Sequence, residues 1–402
     1  MESVDTLLKH QVISTLYFDK SLSCVELSEI LGKSVPHITK SVNELIKEGS
    51  VVEGGRARSS GGRRPQVFSL NAHHMYIIAV AMDQLYTKIT ISDTVGNVVL
   101  PTESNELILL NNTEAVPALA TLLNKAIEKA GIERDRIIGI GIGVPGFVNT
   151  KAGISYSYLV PENGQSLCEY LESTLGISVY IDNDSSLVAL AELKFGLAKK
   201  KEEVMVINVG WGIGLGMIVD GKLFRGFSGY AGELSHIPIS ESDTLCECGK
   251  RGCLETEATL RVVTGKAMKE IKEGRITGLK YDSSPEKMSE AIMAAAIKGD
   301  QYSIDLLTDM GYKLGKAIAI LIHIVNPELI ILSGRGAAVG RILLAPIQQA
   351  LNRYCIPRIY EHTEVKYSLI GAKAELMGAA ALVIENYSKT ISNKIKNQEA
   401  SL

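Results

Sequence analysis

No stretch of eighteen apolar residues occurs anywhere in this chain of 402 residues, which argues against a membrane-spanning helix. The opening MESVDTLLKHQ has no charged lead followed by an apolar run, so a cytoplasmic protein without membrane insertion is expected. A surplus of either charge is missing too: 42 Lys plus Arg stand against 45 Asp plus Glu, a net −3 at pH 7. Nothing pulls the chain as a whole toward nucleic acid, so any such binding must come from a local patch. Cysteine is sparse outside one cluster, since Cys24, Cys168 and Cys355 are widely scattered, as suits a reducing compartment. What is present is a length too great for one core, 46% hydrophobic residues and 37 glycines. That combination fits a soluble α/β protein of two or three domains.

The most informative stretch is AGELSHIPISESDTLCECGKRGCLE, residues 231–255. His236, Cys246, Cys248 and Cys253 bring one imidazole and three thiolates within a short span, a ligand set for a closed tetrahedral Zn²⁺ site. Gly249 and Gly252 lie between the last two cysteines, where a chain folding back on a metal needs permissive backbone. Glu233 and Glu255 flank the cluster, and paired carboxylates hydrogen-bond vicinal hydroxyls strongly, as a small polyol would require. His236 can serve both, with one ring nitrogen toward the metal and the other toward a ligand or an acceptor. The plainer alternatives are buried thiols or a disulfide for the cysteines and solvated loop charges for the glutamates.

At the amino end, periodicity predicts three short helices. The first covers 5–18, the second follows a capping box of Ser23 and Glu26 and closes at Gly32, and the third starts at Ser34 and ends at Gly49. The third buries Ile38, Val42, Leu45 and Ile46, leaving Pro36 in its first turn and His37, Lys40, Ser41 and Glu44 for the other face. Next comes GGRARSSGGRRP before the strand QVFSLN, so Arg56, Arg58, Arg63 and Arg64 ride on a Gly/Ser hairpin loop able to follow phosphates or enter a minor groove. This resembles a winged helix-turn-helix DNA-binding module, with Pro36, His37, Lys40, Ser41 and the four arginines as candidate DNA contacts. Residues 1–70 hold nine Lys or Arg against eight Asp or Glu, so only the wing is basic.

From Met75 onward strands and helices alternate. A buried strand RIIGIGIGVPGFV ends in a Gly/Pro turn, and VYIDNDSSLVALAELKFG runs from strand to helix across Asp182, Asn183 and Asp184. The hairpin VMVINVGWGIGLGMIVDGKLF carries Gly210, Gly212, Gly214 and Gly216, and PELIILSGRGAAVG is a late buried strand and loop. Two halves that each begin with a hairpin imply a duplicated α/β fold.

Taken together, the winged helix, Asn183-Asp184, the Gly-rich hairpin, GELSH, the cysteine triplet and the SGRG loop resemble the ROK family of repressors, open reading frames and kinases. The resemblance implies an α/β protein in which the winged helix-turn-helix of 1–70 precedes a two-lobed, actin-like and sugar-kinase-like domain, a duplicated ribonuclease H-like fold. The first lobe would span 71–184 and be rejoined by a helix at 372–402, with a second, zinc-bearing lobe at 185–371. It also implies a homodimer or homotetramer, a structural zinc, and a sugar or sugar phosphate in the interlobe cleft held by Asn183, Asp184, Glu233, His236 and Glu255. In kinase members Asp184 would be the catalytic base.

Several positions depart from the kinase pattern. Family kinases place Asp-x-Gly-Gly-Thr after the first strand, whereas Asp83 is followed here by Gln84, Leu85, Tyr86 and Thr87. Trp211 replaces a small hydroxyl residue, Ser235 a glycine and Ser186 an asparagine. The first two changes point away from nucleotide binding. The expectation is a non-enzymatic, sugar-responsive repressor acting on an operator, with an ATP-dependent hexose or aminosugar kinase as the alternative and sequestration by another protein as a further mode of control.

Overall fold

The computed structural model describes residues 2–56 and 65–399; of 2–4, Arg56 and 388–399 it describes the backbone alone. The chain divides into two compact units, Met1–Asp184 with Leu376–Leu402, and Ser185–Glu375. Residues 1–70 are not separated as a unit of their own; they fall with the segment that follows them.

The first unit opens with helices α1 (Glu2–Asp19), α2 (Cys24–Leu31) and α3 (Val35–Lys47). Ser23 and Glu26 form the reciprocal capping box, each satisfying an amide that the helix start leaves over, and Gly32 closes α2 in the left-handed region. A small sheet of β1 (Leu22–Ser23), β2 (Val51–Arg56) and β3 (Gln66–Leu70) has the order β1-β3-β2, so the wing hairpin is anchored beside the helices. Leu8, Val12, Leu16, Leu27, Ile38, Val42 and Leu45 are buried apolar positions of these helices.

The rest of this unit is a five-stranded sheet of β4 (Tyr76–Met82), β5 (Tyr86–Asp93), β6 (Val98–Glu106), β7 (Ile137–Val144) and β10 (Val179–Asn183). Helices α4 (Ala115–Ala130) and α5 (Leu167–Leu175) and a minor hairpin, β8 (Val148–Asn149) with β9 (Ile154–Ser155), join the strands. Helix α6 (Asp184–Phe195) then leads into the second unit. There the sheet comprises β11 (Val204–Val209), β12 (Ile213–Val219), β13 (Lys222–Phe224), β14 (Leu329–Ser333) and β15 (Glu364–Tyr367). Its helices are α7 (Leu260–Lys272), α8 (Pro285–Ile297), α9 (Gln301–Val325), α10 (Gly340–Tyr354) and α11 (Pro357–Tyr360), and α12 (Ala374–Glu399) returns to the first unit.

Both sheets have one topology. Their orders, β10-β7-β4-β5-β6 and β13-β12-β11-β14-β15, put the first strand of each sheet in the middle. That strand pairs antiparallel with the second and parallel with the fourth, so the duplication expected from the sequence is a duplication of pairing. All of β4 and all of β11 is buried, as strands covered on both faces must be. In the first unit one cover is α12. A Cβ added at Gly141 would lie 2.0 Å from the Ala379 carbonyl oxygen, so the glycines of β7 let that helix approach. In the second unit α6 does the same, with a Cβ at Gly216 meeting that of Ala189 at 2.3 Å. No described helix is long and apolar enough to cross a membrane.

Candidate functional site

His236 ends a 3₁₀ turn, Leu234–His236, from which the chain runs out and folds back on itself. The Ile239 and Ser240 amides donate to the Gly252 carbonyl at 2.9 and 3.3 Å, and Leu254 N–H donates to Ile237 O at 3.1 Å. A tighter turn inside this one has Cys246 N–H donating to Lys250 O at 2.8 Å and Gly249 N–H to Cys246 O at 2.9 Å. Gly249 and Gly252 both have positive φ, +81° and +74°, and a Cβ at Gly252 would lie 2.1 Å from the Ser240 carbonyl oxygen. Glycine is needed at 252 on both counts.

These turns gather the four expected ligands. Their donor atoms all lie within 4.8 Å of one another. The Cys246 sulfur is 3.6 Å from His236 Nδ1, and the Cys248 and Cys253 sulfurs are 3.6 Å apart. Four donors spaced about 2.0–2.3 Å from a common tetrahedral centre have edges of roughly 3.5–3.8 Å, which the two 3.6 Å separations match. Burial and the neighbouring sulfurs of Cys248 and Cys246 push the Cys253 thiol up to about 12. Against its desolvation, hydrogen bonds from the Lys250 backbone, Cys246 and Cys253 lower the Cys248 thiol, so the two facing sulfurs are held at opposite ends of the range, and a cation joining them would favour the thiolate at both. The cluster can hold a metal ion.

Beyond it lie the two carboxylates. Glu233 Oε2 is 3.8 Å from His236 Nε2, so the imidazole faces a sulfur through one nitrogen and a carboxylate through the other. Burial raises the Glu233 pKa, while His236 opposes the shift. Glu255, in the 3₁₀ turn Leu254–Thr256, accepts from Ile213 N–H at 3.1 Å. Burial pushes its pKa up to about 7, against the pull of that amide and of Arg261, whose Nη2 is 3.6 Å from Oε1. Arg261, in the first turn of α7, also donates to Glu247 at 2.7 Å. Sequence reasoning passed over Arg261; the signal available was a guanidinium in the helix turn right after the cluster.

The hairpin glycines divide by role. Gly214 and Gly216 make room for α6, and a Cβ at Gly212 would sit 2.9 Å from Glu255 Oε1. Asn183 and Asp184 belong to the first unit, at the end of β10 and the first turn of α6. Asn183 Nδ2 donates to Gly146 O at 3.0 Å, and both side chains are half-buried.

After β4 the turn is self-sealed. Asp83 Oδ1 accepts from the Leu85 and Tyr86 amides at 2.9 and 2.7 Å, and Asp83 N–H donates to Tyr86 O at 3.0 Å. In the other hairpin the carbonyls of Gly210 and Trp211 accept from the Leu260 and Arg261 amides that open α7. At the β4 turn the Leu85 and Tyr86 amides therefore already have a partner inside the chain, and in the other hairpin it is the carbonyls that are engaged.

On α3, Pro36 and Lys40 are exposed and His37 is half-buried. Ser41 is a correction: at 2% exposure it lies within the buried stripe and does not reach solvent. Its place three residues after Ile38 and four before Leu45 puts it on their side of a 3.6-residue helix. His37 Nε2 and Lys40 Nζ meet the two oxygens of Asp5 on α1, at 3.2 and 2.6 Å. Arg58, Arg63 and Arg64 lie outside the described residues, as does the side chain of Arg56, the last residue of β2.

Three helices and a small three-stranded sheet ahead of a duplicated α/β body, with a His/Cys₃ cluster between paired carboxylates in sequence, define the class. The sequence profile of the ROK family matches residues 86–386, and the chain belongs to that family. The xylose repressor of Caldicellulosiruptor bescii is 30% identical over 95% of this chain and 97% of its own length. A glucokinase of Halalkalibacterium halodurans is 32% identical over 66% of this chain and 82% of its own. A crystal structure described as a ROK family transcriptional regulator, homologue of the Escherichia coli MLC protein, superposes with a TM-score of 0.77 at 26% identity. It covers 98% of this chain and 99% of that one.

Proposed function

We propose that this protein is a sugar-responsive transcriptional repressor of carbohydrate-use genes, acting in the cytoplasm. The observation that carries this reading is the three-helix and wing module ahead of the family domain, matched end to end by a repressor. Residues 1–70 act as the DNA-binding domain, with Pro36, His37, Lys40 and the wing arginines Arg56, Arg58, Arg63 and Arg64 toward an operator. A sugar or sugar phosphate is bound through Asn183, Asp184, Glu233, His236 and Glu255. Zn²⁺ held by His236, Cys246, Cys248 and Cys253 stiffens the loop that carries both glutamates, a structural rather than a chemical role.

The working form is a homodimer or a homotetramer built from such pairs. Paired heads read successive major grooves, about 34–36 Å apart. A sugar alters that spacing only by binding one arrangement more tightly than another, and moving a population from 1:99 to 99:1 needs about 5.5 kcal/mol of difference.

A second reading, an ATP-dependent sugar kinase with Asp184 as base, is favoured by the glucokinase relative. Against it stands the sealed turn after β4, since phosphate cradles need backbone amides with no prior partner. One experiment separates the two. Operator binding by the full chain is titrated with a panel of sugars and sugar phosphates at several salt concentrations, beside an ATP-consumption assay on the same panel. Salt-dependent binding altered by one sugar, with no turnover, supports the repressor; turnover abolished by Asp184→Asn overturns it.

A further inference from the structure

With Ser41 buried and His37 held half-buried against Asp5, helix α3 presents a different face from the one its sequence advertises. Pro36, Lys40, Asn43 and Lys47 are all exposed, and their spacings of four, three and four make one continuous stripe. That stripe lies opposite Ile38, Ser41, Val42 and Leu45. Its members are chemically unequal. Pro36 has no side-chain donor or acceptor. Lys40 is bound to Asp5 at 2.6 Å and lies 3.9 Å from Glu44, so much of its charge is already answered. Thr39, beside the stripe, spends its hydroxyl on the Val35 carbonyl at 2.8 Å. Asn43 is the one uncharged member with both a donor and an acceptor, and its side chain bonds to none of the described residues. Lys47, one turn on, makes no ion pair with a described residue.

We propose that Asn43 is the base-reading residue of the module, its amide pairing with the N6 and N7 edge of an adenine in the major groove while Lys47 neutralises a neighbouring phosphate. A carboxamide matches that edge in both directions at once, accepting from N6 and donating to N7. A lone ammonium contributes attraction without sequence information. The acids Asp5 and Glu44 on the flank of the helix keep the stripe's cations from gripping any duplex indiscriminately. This inference rests on the repressor reading, and its test is arranged to tell the two apart.

The full-length protein is used to select duplexes from a randomised pool at fixed salt, and the enriched sequences of wild type, Asn43→Ala, Asn43→Gln and Lys47→Gln are compared. Wild type should enrich an A·T pair at one position of each half-site. Asn43→Ala should lose that preference by roughly 5- to 150-fold while its salt slope stays the same. Lys47→Gln should keep the preference and bind all sequences more weakly, with a salt slope smaller by about one. Asn43→Gln, which keeps the amide on a longer stem, guards against a folding defect in the alanine variant and should also lose most of the preference. An unchanged base profile in Asn43→Ala and Asn43→Gln, or a loss spread evenly over all sequences, overturns the assignment. Absence of any selection by the wild type overturns the repressor reading itself.

Discussion

His10 shows how much one side chain on the first helix tells about the body that follows. It is 7% exposed on α1, its ring meets that of Tyr387 on α12 edge-on at 4.5 Å, and its Nδ1 is buried with no hydrogen-bond partner among the described residues. Burial holds the imidazole below its ordinary pKa of 6.5, with Glu48 opposing and Lys9 assisting. Since the folded form binds its proton less readily than the unfolded chain, stability is fully present above about pH 6.5 and is lost as the pH falls below it. His10→Phe keeps an aromatic ring there and removes the titration. Its melting temperature should therefore fall less than that of wild type between pH 7.5 and 5.5, and superimposable profiles would refute the idea. Neither this contact nor the burial of Ser41 was legible beforehand. Hydrophobic periodicity marks Ile38 and Val42 as inward, but a serine's side is decided by the neighbours that pack over it.

Whole elements were more readable where their signals are local. The Ser23/Glu26 box and the αL glycine closing α2 are set within four residues of sequence, and both stand as expected. Replacing Ser23 with alanine should cost about 1 kcal/mol in chemical unfolding, since it removes the acceptor for the Glu26 amide. The glycine-rich strands were harder. From sequence, Gly210, Gly212, Gly214 and Gly216 look like one loop motif, yet two of them exist for the approach of α6, a fact that depends on a helix earlier in the chain. The same logic separates two substitutions of identical chemistry. Gly141→Ala puts a methyl 2.0 Å from the Ala379 carbonyl and should destabilise by about 1–3 kcal/mol or more. Gly265, by contrast, is exposed on α7 with nothing within 4 Å of an added Cβ, and Gly265→Ala should stabilise by about 0.5–1 kcal/mol. Denaturant midpoints measure both, and equal signs would show that close packing is not why β7 carries glycine.

For the molecule as a whole, topology was legible because duplication leaves the same order of hairpin, helix and strand twice, whereas the sealing of the β4 turn by Asp83 was not. That His236, Cys246, Cys248 and Cys253 would gather was legible from spacing, as was an imidazole with its second nitrogen left for an acceptor; that Glu233 lies there, 3.8 Å away, was not. That link decides what metal removal should do. Leu234 and Leu254, at either end of the loop, belong to the large buried core of the second unit, which includes Leu306, Leu314, Ile318 and Ile330. Between them, the Ile239, Ser240 and Leu254 bonds pin the loop near its ends, while the inner turn is closed on itself by the Cys246 and Gly249 amides, and Cys246 and Cys253 are the buried cysteines. Stripping the ion therefore releases the middle of the loop while its ends stay fixed, and the core survives. Sugar affinity should drop by roughly 10–100-fold, the usual loss when groups that orient a binding residue are freed, while far-ultraviolet dichroism and operator binding persist. Chelated protein, shown metal-free by mass spectrometry, would be titrated with the responsive sugar beside the Cys253→Ser variant. If its sugar response stayed whole, the cluster would have no part in holding Glu233 and Glu255; if operator binding vanished first, the cluster would be serving the DNA-binding module instead.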